Sequence, residues 1–287
     1  MKNCVLVSFC ILISFCSASC SSDDSLSKAD YYNLSNLPLD TGGTHSSHIL
    51  AEANAPYGYY VYQPAGYDDD KDSMYPLLIF LHGSGEKGNS AKHPEYLERI
   101  LVNGPPKMIE NGSWSPKYPM LVVSPQCHDD GWQADKIKRF VEFIIEKYKV
   151  NERRIYMTGI SMGGFGCFSY VGTYGDESHI TALVPICGGG NTEQVAKFKN
   201  IPVWAFHGES DATVAPSKSK NMIEAINSIN PTEKLKLHCT LMLHMTHGPT
   251  PTKEQEWGKK MQTTMHLVQI FLHGCWSMRK KNKYLKL

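Results

Sequence analysis

No apolar stretch in this chain reaches the roughly 20 residues that a membrane-crossing helix needs; the longest, residues 4–15, is already interrupted by Ser8 and Ser14. Charge of one sign is also missing. Lys+Arg number 29 against Asp+Glu 28, so nothing in the balance draws the body of the protein to nucleic acid. The locally basic end, Arg279-Lys-Lys-Asn-Lys-Tyr-Leu-Lys286, is read as solvated tail. Cysteines in disulfide or metal-ligand spacing are absent too. Cys4, Cys10, Cys16 and Cys20 fall in the first twenty residues, and Cys127, Cys167, Cys187, Cys239 and Cys275 are scattered. Cys167 and Cys187 are expected to be small buried hydrophobes. Internal repeats and a second domain are likewise not visible.

What is present starts with an export signal. Met1-Lys2-Asn3, the apolar run and the small residues Ser17-Ala18-Ser19 before Cys20 give the charged start, apolar middle and cleavage region of such a segment. Cys20 after small residues resembles a bacterial lipoprotein signal, in which Cys20 is lipidated and becomes the first mature residue. Ser17 fits the usual aliphatic position poorly. Ser21-Ser-Asp-Asp24 resembles the acidic segment that directs some lipoproteins to the cell surface. The expected location is the cell envelope, periplasmic or surface, or outside the cell by simple secretion. Residues 21–47, polar with scattered Pro, Gly and Ser, are expected to be a flexible tether.

From residue 48 to 237, strand, loop and helix signals alternate, which predicts an α/β domain with a mostly parallel sheet and helices on both faces. Tyr57-Gly-Tyr-Tyr-Val-Tyr-Gln-Pro64 alternates and reads as an early edge strand. Tyr75-Pro-Leu-Leu-Ile-Phe-Leu-His82 and Met120-Leu-Val-Val-Ser124 are continuous apolar runs, as in strands buried on both faces. Residues 103–119, rich in Pro, Gly and Asn, read as a loop and candidate lid. Residues 137–148 place apolar side chains at helical spacing.

The chemistry centres on Gly159-Ile-Ser161-Met-Gly-Gly164, which fits the G-x-S-x-G pattern of a serine at the tip of a sharp strand-to-helix turn. Ser161 is the candidate nucleophile. A serine hydroxyl needs an imidazole to take its proton and a carboxylate to hold that imidazole. Asp211, after the strand-like 201–206, follows Ser161 in the order Ser, Asp, His. The Met162 N–H, with that of Gly83 or Ser84 in the glycine-rich loop after residue 81, would make an oxyanion hole. That loop lacks the Gly-Lys-Ser/Thr ending of a phosphate-binding loop. His82 and His207, at strand ends, are expected to orient loops.

Taken in order, His82-Gly-Ser-Gly85, Ser124-Pro-Gln-Cys127, Gly159-Ile-Ser-Met-Gly-Gly164, Val184-Pro-Ile-Cys-Gly-Gly189 and Trp204-Ala-Phe-His-Gly208 with Asp211 resemble the α/β-hydrolase superfamily. More narrowly they resemble its exported bacterial esterases and predicted peptidases, relatives of polyhydroxybutyrate depolymerases and of feruloyl or acetyl xylan esterases. The resemblance implies a serine carboxylic-ester hydrolase working through an acyl-enzyme, without cofactor or metal, on esters that include acylated polysaccharide. A serine peptidase would share the same residues.

After Leu237 the resemblance stops. It leads one to expect a strand, then His-Asp-Ser/Ala-Trp, then a terminal helix; residues 238–287 are atypical. They offer His238, His244 and His247, of which His247 before Gly248 is the first candidate base and His244 the second. Read from the third base of the Leu237 codon, the genetic code permits Thr-Leu-Tyr-Thr-Asp-Ala-Thr-His-Asp-Ser-Trp, and over residues 269–276 Asp-Ile-Phe-Thr-Trp-Met-Leu. A single-base loss near Leu237 is therefore one expectation. Its consequence is a hydrolase-fold protein that is inactive or only binds.

Overall fold

The computed structural model describes Leu34, residues 37–69 and 73–231, and the backbone of a strand at Lys236–Thr240. The export segment with Cys20, and the tail with His244 and His247, lie outside the described residues.

The continuous apolar runs form the middle of one eight-stranded sheet: β3 (Tyr75–Leu81), β4 (Leu121–Gln126) and β6 (Ala182–Ile186) are buried at every position. The others are β1 (Thr44–His48), β2 (Gly58–Gln63), β5 (Val150–Ile160), β7 (Trp204–Gly208) and β8 (Lys236–Thr240). Their order is β1-β2-β4-β3-β5-β6-β7-β8. β2 pairs antiparallel with both β1 and β4, and every later pairing is parallel. A parallel sheet must be covered on both faces. Helices α2 (Ala134–Lys147), α3 (Met162–Tyr174) and α4 (Ser217–Ser228) contribute to one core layer, and α1 (Gly104–Glu110) to the other.

Helix α2 follows from its spacing. Ile137, Phe140, Val141 and Ile144 recur at intervals of three and four and are all buried. Each such side chain contributes about 2 kcal/mol on leaving water. The chain leaves α2 at Tyr148 and enters β5, whose last seven residues, 154–160, are buried. This strand, flanked by β3 and β6, delivers residue 161 to the middle of the sheet's carboxyl end.

Three expectations need correction. Residues 57–64 form no edge, because β1 lies outside β2 in a five-residue antiparallel pairing. The tether expected over 21–47 ends earlier: Asp40 accepts hydrogen bonds from Tyr62 Oη and from the Gly42 and Ala65 N–H groups, and β1 opens at Thr44. Polar composition concealed this because β1, Thr-His-Ser-Ser-His, is held by backbone pairing more than by apolar burial. Finally, residues 103–119 include the helix α1, with proline in its first turn where an N–H has no helical partner in any case.

Candidate active site

Ser161 stands between β5 and α3 with φ 52° and ψ −116°, a backbone state that disfavours side chains. Its N–H donates to the Ile186 carbonyl at 2.9 Å, and its own carbonyl accepts from the Phe165 N–H at 3.0 Å. The turn is thereby fixed from both neighbouring elements. The glycines around it are required by close approach. A β-carbon on Gly163 would lie 1.9 Å from the Leu81 carbonyl oxygen, and one on Gly164 2.5 Å from that of Ile186. Helix α3 can thus begin directly against β3 and β6, with the Met162 N–H at its open end.

The loop after β3 reaches the same place. A β-carbon on Gly83 would stand 3.8 Å from Ser161 Cβ, so the two backbones are neighbours. His82, 1% exposed, orients this loop as expected of it. Its Nε2 accepts from the Cys127 N–H at 2.9 Å, which leaves the proton on Nδ1 to be donated to the Gly83 carbonyl at 2.6 Å. Burial, above all, pushes the imidazole pKa down to about 4, which keeps this tautomer neutral. Because the peptide is planar and trans, tying the Gly83 carbonyl to His82 turns the Ser84 N–H to the opposite side.

The Gln-Cys…Trp segment after β4 explains why it accompanies the glycine loop. Gln126 Nε2 donates to the Glu86 carbonyl at 3.1 Å, the Gly88 N–H to the Cys127 carbonyl at 3.1 Å, and Trp132 Nε1 to the His82 carbonyl at 3.1 Å. With the Cys127–His82 bond, these stitch the two loops together.

Asp211 follows β7 in a turn that its own carboxylate closes. Its Oδ1 accepts from the Thr213 and Val214 N–H groups at 2.8 and 2.9 Å. Its Oδ2 is buried and accepts no hydrogen bond among the described residues. His207 is nearby, with Nε2 3.7 Å from Oδ2, but its ring faces the Val214 carbonyl at 2.9 Å and Ser219 Oγ at 2.7 Å. Ser219 in turn donates to the Gly188 carbonyl at 2.8 Å, so His207 ties the Asp211 turn to α4 and to the loop after β6. Cys187, the residue after β6, is buried. Its thiol is pushed up to about 12, chiefly by burial and further by Asp211, while the Ser161 N–H acts in the opposite direction.

Of the residues singled out from the sequence, Ser161, Met162, Gly83 and Ser84 meet at the end of β5, and Asp211 lies in the turn after β7. His247, His244 and Cys20 lie outside the described residues. Cys187 and Ser219 were assigned no part in the site, nor were Glu86 and Asn103. For Glu86 a signal existed: a charged residue within a glycine-rich loop after a buried strand. Among the described residues, no group of three His, Cys, Asp or Glu side chains is placed to hold a metal.

No protein-family model matches the chain. No curated protein matches it either. Solved structures do match. A thermostable esterase superposes with TM-score 0.56 at 24% identity, covering 79% of this chain, and this chain spans only 62% of that esterase. A ferulic acid esterase matches with TM-score 0.55 at 13% identity, over 82% of this chain and 99% of the other. A fluorophosphonate-binding serine hydrolase of Staphylococcus aureus gives 0.55 at 11% identity, with the same two coverages, 82% and 99%. The chain has the α/β-hydrolase fold.

Proposed function

We propose that this protein is an exported serine hydrolase of carboxylic esters that works through an acyl-enzyme at Ser161. The observation that carries the reading is the strained Ser161 at the tip of β5, with the open end of α3 on one side and the β3 loop on the other. A positive φ at a non-glycine residue is costly, and an elbow that presents Oγ to a substrate accounts for it. Attack by Oγ on the ester carbonyl carbon forms a tetrahedral oxyanion, for which the Met162 and Ser84 N–H groups are the donors. Collapse expels the alcohol and leaves the acyl group on Ser161; water then releases the acid and restores the serine.

Asp211 is the carboxylate that holds the base, its unused Oδ2 being the acceptor for an imidazole N–H. Thr240 of β8 stands in register with Gly208 of β7, so the chain leaves β8 at the sheet end where the Asp211 turn begins. His247, or His244, in the segment that follows is the base of this proposal. Ester substrates suit the ferulic acid esterase among the similar structures; their attachment to polysaccharide, and an envelope anchor through lipidation of Cys20, belong to this proposal on the strength of the sequence. Hydrolysis of p-nitrophenyl and feruloyl esters, compared with peptide anilides, tests the reaction class. Ester turnover lost in S161A supports the proposal; cleavage of anilides alone moves it to a peptidase.

A second reading has its own observation. The sequence after Leu237 departs from the expected His-Asp-Ser/Ala-Trp, and the genetic code permits that run in a shifted frame. If the base belongs to the alternative reading frame, the chain as written keeps nucleophile and acid without it, and only binds.

A further inference from the structure

The glycine-rich loop after β3 carries a carboxyl group that the proposed reaction does not use. Glu86 is 6% exposed. Its Oε1 accepts from Asn103 Nδ2, and the N–H groups of Gly83 and of Glu86 itself face the carboxyl. Its Oε2 is enclosed and makes no hydrogen bond among the described residues. That oxygen lies 3.2 Å from the point where a β-carbon on Gly83 would stand. An ionised carboxylate in such a place costs free energy. Burial pushes its pKa above the usual glutamate range, against the pull of Asn103 and the two N–H groups.

The charged and titratable neighbours are few. His82 Nδ1 is 3.8 Å from Oε2, but its proton goes to the Gly83 carbonyl. Lys87 follows in the loop and bears on His82, and Arg99 donates to the Lys87 carbonyl.

We infer that Glu86 is a positioning residue of the oxyanion loop. Tethered by Asn103, its carboxylate holds the N–H side of Gly83 while His82 holds the carbonyl side, and together they aim the Ser84 N–H at the oxygen of the reacting ester. The ester part of this rests on the function proposed above; the clamp on the loop does not. A raised carboxyl pKa has a definite sign in stability. The contribution is fully present below the unfolded pKa and is lost as pH rises through the folded one. Above the folded pKa the clamp therefore works at the expense of the fold, and E86Q there should melt no lower than the wild type.

The test uses the full chain labelled with ¹⁵N in glycine and serine. The amide signals of Gly83 and Ser84 are followed from about pH 4 to 8, and the rate at which a fluorophosphonate labels Ser161 is measured alongside. In the wild type both amides should titrate with one midpoint above the ordinary glutamate range. In E86Q that titration should vanish and labelling should fall about tenfold or more, with melting unimpaired. In N103A, which removes a donor to the charged form, the midpoint should move higher. Amides that ignore pH overturn the inference. So does a titration that survives in E86Q, such as one near 4 belonging to His82, or an E86Q chain that labels as fast as the wild type. A folded wild type that does not label at all contradicts the ester-hydrolase reading instead, and the amide titration then decides the clamp on its own.

Discussion

At the scale of the residue, Ser161 carries the strain and, in the proposed function, the chemistry. With φ 52° and ψ −116° it occupies a region that glycine enters freely and other residues do not. S161A keeps the strain and S161G relieves it, so both should lose reaction with a fluorophosphonate while S161G unfolds at higher denaturant. The difference expected is about 1 kcal/mol, strain relief less the greater unfolded-state freedom of glycine. Equal stability of the two would place the strain elsewhere. His82 makes a second prediction at this scale. Its folded pKa, about 4, lies below the unfolded value of 6.5, so the unfolded chain takes up the proton first as pH falls. The stability tied to His82 is present above 6.5 and is lost as pH drops toward 4, on the order of 3 kcal/mol in all. Denaturant melts of H82Q between those limits should show a flatter acid-side decline than the wild type.

At the scale of the element, the turn at Ser161 is a matter of how closely a helix can start against two strands. Gly163 faces the Leu81 carbonyl oxygen with room for no side chain, its β-carbon falling 1.9 Å away. G163A must push α3 off β3, at an expected cost of roughly 3 kcal/mol or more and a melting temperature lower by about 6 °C or more. An alanine accepted without loss would mean that the helix start is softer than this packing implies. The same close fit explains why the motif was readable: glycine there has a steric reason that composition cannot supply by accident. The stitching of the β3 and β4 loops was harder to read. The sequence presents Gln126, Cys127 and Trp132 in a row, but their partners, the Glu86 and His82 carbonyls and the His82 ring, lie forty or more positions away.

At the scale of the whole molecule, long apolar strands and an amphipathic α2 made the sheet and its coverage legible, because parallel strands buried on both faces leave little else for such runs to do. β1 was not legible, since its polar residues are recruited by the edge of β2 rather than by a core. Ser161 and Asp211 were legible only as chain order; their placement at the ends of β5 and β7 depends on β6 lying between those strands. The tail sets the remaining prediction. If the base is His247, H247A should abolish labelling and a chain carrying the His-Asp-Ser-Trp frame should gain little. If a base was lost near Leu237, the gene should show it, and restoring the frame should raise ester turnover by about 10³-fold or more.

The proposed function stands or falls with Ser161 as an activated nucleophile. Intact-mass spectrometry of the folded chain after exposure to a fluorophosphonate, with peptide mapping and S161A beside it, reads that claim directly. One adduct on the peptide containing Ser161, absent from S161A, is the predicted result. A folded wild-type chain with no adduct, or an adduct that persists in S161A, would contradict it.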